Sequence, residues 1–400
     1  MTSIDAENVP VEDVLAHFDL YDPTHRKRLW EVLAHARTSA SPVIKTDADE
    51  GYFVITRYDD LRAVASDPET FSSVEPALRG VPVRMPPVSE DPPIHRDFRQ
   101  ILNPHFTRSA LSAYADEMRA TARELLDQVV PSGRMEFMED FALPYTAENL
   151  ARVILGEDNR ERVRRAREAA LRISSEGTPQ AFIDLAKIAE EFLDDRARSG
   201  FDGDDVLSAI VNGTVLGRPL TMEEKIGTIT TLFSGGLDTV RGALGNIVRH
   251  VAEDPGMEDR LRHPGWARGD LDELLRLETP ITFLARTVTR DAEVNGCPMK
   301  AGDRVAIHFA SANRDGDHFE DADDLRFDRT RNPHVAFGVG IHRCLGVHFA
   351  RLQIEVGVDE LLSRVTNLRV PEGVDVELSN GVIFTPEALP LLFDQKEERP

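Results

Sequence analysis

The run Phe337-Gly338-Val339-Gly340-Ile341-His342-Arg343-Cys344-Leu345-Gly346 carries one of only two cysteines in a chain of 400 residues. Glycines at 338, 340 and 346 surround that cysteine, and glycine lets a backbone take positive φ and approach a flat partner closely. Val347-His348-Phe349-Ala350-Arg351-Leu352-Gln353-Ile354-Glu355-Val356 follows with the three- and four-residue spacing of an amphipathic helix. Cys344 is therefore expected at, or just before, a helix N-terminus. There the helix dipole and free backbone N–H groups favour the thiolate, the form that ligates a metal. The competing reading is a packing cysteine in a loop-to-helix turn. The residues by themselves give a glycine-lined, electropositive, helix-capped sulfur, and its use has to be read from the rest of the chain.

Upstream, Glu223 to about Glu253 reads as one long helix. Ile226, Ile229, Phe233, Leu237, Val240, Leu244, Ile247 and Val251 recur at three- and four-residue steps. Gly235, Gly236, Thr239, Ala243 and Gly245 are small, and each glycine inside a helix costs about 1 kcal/mol relative to alanine. Such a helix needs a close approach or a kink at that point. An acid and a hydroxyl, Asp238 and Thr239, stand beside the gap. The two readings are helix–helix packing through glycine and a groove for a small ligand with a proton path beside it.

Three further patterns involve charge. Asp91-Pro92-Pro93 precedes a helix on which His95 and Arg99 share a face, a pair able to clamp a carboxylate. Glu273 and Arg276 lie three apart on the helix Asp270–Leu277 and can pair. Arg286 interrupts the apolar strand Ile281–Val288, and a half-buried arginine needs an anion.

Composition bounds the rest. Net charge is −23 and pI about 5.0, which argues against nucleic acid or an anionic membrane as main partner. Two cysteines make no disulfide framework and suit a reducing cytosol. The acidic first ten residues resemble neither a signal peptide nor an anchor, and no run approaches the ~20 apolar residues of a spanning helix. A soluble, cytoplasmic protein is the expectation.

Along the chain, residues 1–24 read as a loosely structured arm, followed by a helix through Leu29, Trp30, Val32 and Leu33. Tyr52–Arg57 reads as a strand, with Ser41–Lys45 its neighbour, and Tyr58–Ala65 as a short helix. Phe71 to Pro93 holds six prolines and reads as a long ordered loop. Ser109 to about Arg198 reads as helical almost throughout, one stripe being Leu143, Leu150, Val153, Ile154 and Leu155. Asp202-Gly203-Asp204-Asp205 reads as a turn and helix cap. Asn295-Gly296 signals a hairpin.

Phe-x-x-Gly-x-x-x-Cys-x-Gly with His342 before the cysteine resembles the haem-thiolate loop of the cytochrome P450 superfamily, in which a cysteine thiolate holds the haem iron. Gly235-Gly236-Leu237-Asp238-Thr239 resembles the oxygen-binding segment of that family, most closely its camphor-hydroxylase branch. His-x-x-x-Arg after Asp-Pro-Pro resembles the haem-propionate pair, and Glu273-x-x-Arg276 the structural Glu-x-x-Arg. Five motifs stand in the family's order over roughly Gly51 to Phe393.

The resemblance implies a mainly α fold with a smaller β-rich region, the cytochrome P450 fold, as a single haem-thiolate domain over residues 1–400. It implies haem b, with Cys344 as the iron ligand and Leu345 and Gly346 N–H groups aimed at its sulfur. Phe337, Gly235 and Gly346 would lie against the haem, and His95, Arg99, Arg286 and His342 would hold its propionates. Asp238 and Thr239 would deliver protons. Arg326 is the expected third partner of Glu273 and Arg276. Val83, Thr231, Ser234, Thr282, Val382 and Ile383 would line a mainly apolar substrate pocket. The implied activity is a monooxygenase that activates O2 with electrons from a ferredoxin-type partner and its reductase, and so indirectly from NAD(P)H. A monomer is expected. The weighed alternatives are a haem-based gas sensor or carrier, and a peroxide-using or oxidative-coupling enzyme.

Overall fold

The apolar repeat from Glu223 onward forms one helix, Met222–Glu253, of 32 residues. A capping box starts it. Thr221 Oγ1 accepts from the Glu224 N–H at 3.2 Å, and the Glu224 carboxylate accepts from the Thr221 N–H at 2.7 Å. The computed structural model describes residues 10–396, apart from 155, 157, 158, 177, 200–202, 204 and 380. Residues 1–9 of the expected arm, Leu155, Asp202 and Asp204 therefore lie outside the described residues, as does the Ile154 side chain.

The long helix is the spine because two apolar clusters meet along it. Ile229, Phe233 and Leu237 pack with Leu185, Ile188 and Phe192 of the helix Pro179–Ser199. One stretch further, Val240, Leu244, Ile247 and Val251 pack with Ile354, Val358 and Leu361 of the helix Val347–Arg364. Fully burying each such side chain contributes about 1.5–3 kcal/mol. The helix glycines serve two ends. A Cβ at Gly245 would meet the Met138 sulfur at 2.6 Å, and one at Gly236 the Leu150 side chain at 3.0 Å, so these two permit close packing. A Cβ at Gly235 would meet nothing within 4 Å.

The β region is a five-stranded sheet in the order Val43–Thr46, Tyr52–Ile55, Arg304–His308, Phe283–Val288, Phe71–Ser72. Only the Arg304–His308 pairing with Tyr52–Ile55 is parallel. Asn295 (φ 48°) and Gly296 (φ 78°) make the tight turn between Ala292–Val294 and Cys297–Met299. The turn has positive φ at both central residues, as hairpin twist requires.

Three expectations need correction. The N-terminal segment is not loose from residue 10 on: Val11–Leu15 is helical, and Val14, Phe18 and Leu20 are buried against Val32, Leu33 and Tyr52. Apolar spacing there was too short to register as an element. The 109–198 region is interrupted by the strand Arg134–Glu136, which pairs with Pro390–Gln395, and by π-type turns at Met138–Ala142 and Leu150–Ile154. Finally, the third member of the Glu273–Arg276 node is Arg329. Its Nε donates to Glu273 Oε1 at 3.0 Å. Arg326 gives Glu273 only its backbone N–H, at 2.8 Å, while its side chain pairs with Glu320, Asp321 and Asp328. Arg276 is fully buried and also donates to the carbonyls of Asn313, Ala322 and Asp324. The node fastens the irregular segment before the cysteine loop to the helix Asp270–Leu277.

Candidate functional site

The cysteine loop closes on itself. The Cys344 N–H donates to the Phe337 carbonyl at 2.8 Å, and the Gly338 N–H to Val335 at 2.8 Å. Gly338 and Gly340 both take positive φ, 67° and 70°. At Gly340 any side chain is also excluded by contact, since its Cβ would sit 2.4 Å from the Ala65 carbonyl. The helix Val347–Arg364 begins directly after, with Gly346 as N-cap. The Gly346 N–H lies near enough to the Cys344 sulfur to favour its thiolate.

The sulfur faces a cavity with about 1490 Å³ of space free of protein atoms, including the part open to solvent. The cysteine loop and its helix supply Phe337, Cys344, Gly346 and Phe349; the long helix supplies Thr231, Gly235, Thr239 and Val240. Thr231, Gly235 and Thr239 are spaced by four, so they share one helix face. Cys344 is accessible from this cavity yet sits deep within the protein, and that depth raises its thiol pKa. The Gly346 N–H with Arg99 and Arg343 opposes the rise only in part. The expected thiolate preference of the free side chain is thus outweighed by desolvation. A bound cation would have to supply the remaining stabilisation.

Four donor groups converge on the same cavity. His95, Arg99, Arg286 and His342 all line it, and among the described residues no Asp or Glu does. Arg286 is 3% exposed, and its guanidinium donates to the adjacent Ala285 carbonyl. Burial depresses its pKa to about 10. The Nε2 atoms of His95 and His342 are buried without a hydrogen-bond partner, their rings 4.4 Å apart. Burial, then the neighbouring Arg99, lowers the His95 pKa to about 4; burial, then Arg286, lowers that of His342 to about 3. Donors gathered around a space without an acceptor describe a seat for an anionic ligand.

Among the other sequence-expected positions, Thr231 and Thr239 are on the wall and Asp238 is not. Asp238 lies on the adjoining helix stripe, 3% exposed, and accepts from Arg241 Nε at 2.7 Å. Thr239 Oγ1 donates to the Gly235 carbonyl at 2.9 Å. Val83, Ser234, Thr282, Val382 and Ile383 do not line the cavity. Ser234 shares the stripe of Asp238. The Thr282 hydroxyl is turned onto the Gly381 and Val382 carbonyls. Val382 packs on the cluster of Val32, Tyr52 and Phe283. The wall instead carries Pro87, Val88, Leu232, Ile281 and Leu284, which sequence reasoning missed. The prolines around Val88 signalled a loop but not its direction.

A fold of helices around a glycine-bearing spine here sets a single thiol on the wall of a cavity lined by two arginines, two neutral histidines and, among the described residues, no carboxylate. Comparison with known proteins gives the family. Residues 270–390 match the family model described as Cytochrome P450. The chain is 32% identical over 341 residues to a probable cytochrome P450 127A1 of Sinorhizobium fredii, covering 84% of this chain and 81% of that one. It is 29% identical to a steroid C26-monooxygenase of Mycolicibacterium smegmatis, covering 86% and 88%. The crystal structure of CYP101J2 superposes with a TM-score of 0.85 at 28% identity, over 98% of this chain and all of that one. The chain belongs to the cytochrome P450 family and is a haem monooxygenase of the bacterial type.

Haem fits the residues present. Its two carboxylates would find donors in His95, Arg99, Arg286 and His342, which meet no carboxylate on the wall. Gly235 and Gly346, where a Cβ would meet nothing within 4 Å, leave open faces on the wall. Among the described residues no cluster of three or more His, Cys, Asp or Glu could hold a metal by itself. No helix among the described residues is long and apolar enough to cross a membrane.

Proposed function

We propose that Cys344 would ligate the iron of a haem held by His95, Arg99, Arg286 and His342, and that the chain oxygenates a small, mainly apolar organic molecule. The observation that supports this most is one cavity wall carrying both the sole inward thiol and four donors without an anion. When bound, haem with a thiolate ligand supplies reductive activation of O2, the thiolate favouring O–O cleavage. Arg286 and Arg99 would neutralise the propionates and help to orient the group. The two neutral histidines donate hydrogen bonds there without adding charge. Residues 1–400 act as one unit in this reading.

Proton delivery falls to Asp238 and Thr239. The Thr239 hydroxyl donates its proton to the Gly235 carbonyl, which leaves its oxygen lone pairs as the acceptor on a residue that lines the cavity. Asp238 is the acid behind it, and it must loosen from Arg241 to pass a proton on. Both groups are present, which favours a monooxygenase over a peroxide-using enzyme.

Val88, Leu232, Val240, Ile281 and Leu284 make the substrate space apolar. The Thr231 hydroxyl already donates to the Gly227 carbonyl at 2.9 Å, so toward a ligand it acts as an acceptor. An apolar scaffold bearing a hydroxyl matches that wall. A spectral screen of such scaffolds tests this: ligands that displace iron-bound water shift the haem band, and ketones lacking a donor should bind more weakly than their alcohols. Equal affinity would remove Thr231 from the reading.

Electrons come from a redox partner, here read as a ferredoxin with an NAD(P)H-dependent reductase in the cytoplasm. Arg108 and Arg343 are exposed on the cysteine side and, among the described residues, carry no ion pair. With Arg351 they depress the His348 pKa, burial being the larger cause. This local positive field on a chain of net charge −23 suits an acidic donor. Arg343→Glu should slow reduction, most strongly at low salt; an unchanged rate would remove this face as the dock.

A further inference from the structure

Asp272 stands beside Glu273 on the helix Asp270–Leu277, and none of the roles above uses it. Its Oδ1 accepts from His334 Nε2 at 3.0 Å and from the Arg351 guanidinium. Both partners lie against one ring. The Arg351 guanidinium is 5.4 Å from the Phe337 ring centroid, and the His334 ring is 5.9 Å from it. Phe337 lines the cavity, and its carbonyl accepts the Cys344 N–H. One carboxylate therefore ties together the segment before the cysteine loop, the helix after it and a third helix, with the loop's first residue at the centre.

The geometry is one of restraint. A guanidinium over an aromatic face is attracted by the ring's negative face, and the attraction counts only while the side chain is held there. Arg351 is a long side chain at the protein edge, 27% exposed, and Asp272 is the anion that fixes it. Burial works against the Asp272 carboxylate, yet the His334 and Arg351 bonds prevail and keep its pKa below the ordinary value. The charges that bear directly on the Cys344 sulfur are Arg99 and Arg343. Asp272 therefore acts through the placement of the ring and its backbone rather than through its own field.

We propose that Asp272 is a positioning residue that sets Phe337 against the Cys344 loop, and through it the reduction potential and retention of the haem. This rests on the reading of Cys344 as the iron ligand. Groups that bond a metal ligand directly, as the Phe337 carbonyl bonds the Cys344 N–H, are worth about 10–100-fold in metal affinity or activity, and Asp272 acts further out, so the low end applies to it.

The test uses the haem-loaded full chain and three variants, Asp272→Asn, Arg351→Gln and Asp272→Glu. Reduction potential, the carbon monoxide spectrum of the reduced form and haem transfer to excess apomyoglobin are read, together with thermal stability. Asp272→Asn and Arg351→Gln should shift the potential in the same direction and speed haem transfer about 10-fold. Asp272→Glu should stay near wild type. If Asp272→Asn does not accumulate as holoprotein, His334→Gln takes its place with the same readouts. A loss of thermal stability with potential and haem transfer unmoved would overturn the proposal. A wild-type protein without a thiolate-type carbon monoxide spectrum would sink the ligand assignment and this proposal together. A normal wild-type spectrum with unmoved variants would sink this proposal alone.

Discussion

Asp238 Oδ1 takes a hydrogen bond from Arg241 Nε at 2.7 Å, one turn along the same helix, with both side chains nearly buried. The expected proton donor thus faces away from the cavity into an ion pair, while its neighbour Thr239 faces in. A general acid that reaches its acceptor through a second group should be dispensable for binding and needed for turnover. Asp238→Asn should lower the rate of product formation by roughly 10²–10⁴-fold, with the substrate-induced spectral shift unchanged. Turnover within twofold of wild type would remove Asp238 from the proton path.

Arg329 holds through its side chain the place that the family resemblance gave to Arg326, and stability distinguishes them. Arg329 is almost buried and bonds Glu273 through its side chain, so Arg329→Ala leaves a buried carboxylate short of a partner. The expected cost is about 3 kcal/mol. The Arg326 side chain pairs with surface acids, and its bond to Glu273 comes from the backbone, which substitution retains. Arg326→Ala should cost far less, because its ion pairs are solvent-screened. Thermal or urea unfolding of the two variants decides the order.

Arg286 is the most buried of the four donors and lacks a carboxylate neighbour on the wall. Arg286→Met should release haem faster than wild type. Arg286→Lys should fall between them, because lysine keeps the charge but loses the planar fork. Haem loss rates of the three proteins, measured with a common haem acceptor, check this ranking.

Acid sensitivity should appear at the start of the long helix. The bond from Arg218, aided by the Thr221 N–H and opposed by burial, lowers the Glu224 pKa from 4.5 to about 2. A carboxyl depressed on folding stabilises the fold above its ordinary pKa and loses that contribution as pH falls through its folded value. Wild type should therefore be more stable than Glu224→Gln at pH 5, with the gap closing towards pH 2. Melting temperatures of both proteins across that range measure it.

Much of this was legible in the chain. The cysteine loop was readable because its glycines answer local demands, positive φ at 338 and 340 and contact with Ala65 at 340. The long helix declared itself through its apolar period. What escaped depended on distance in sequence or on side-chain direction. Arg329 lies 56 residues from Glu273, and nothing local separates it from Arg326. Thr282 and Ser234 stand next to wall residues, yet a single step along the backbone turns them onto carbonyls at Gly381 and Thr231. Phe18 and Leu20 are buried only because Tyr52 and the helix Leu29–Thr38 arrive to cover them.

The role of the sulfur carries all the rest, and the carbon monoxide difference spectrum of the reduced, haem-loaded protein reads it directly. Wild type should show the thiolate-type band, and Cys344→Ser should lose it while still binding some haem through His95, Arg99, Arg286 and His342. A Cys344→Ser protein that kept the thiolate-type band would contradict the assignment of that atom as the iron ligand.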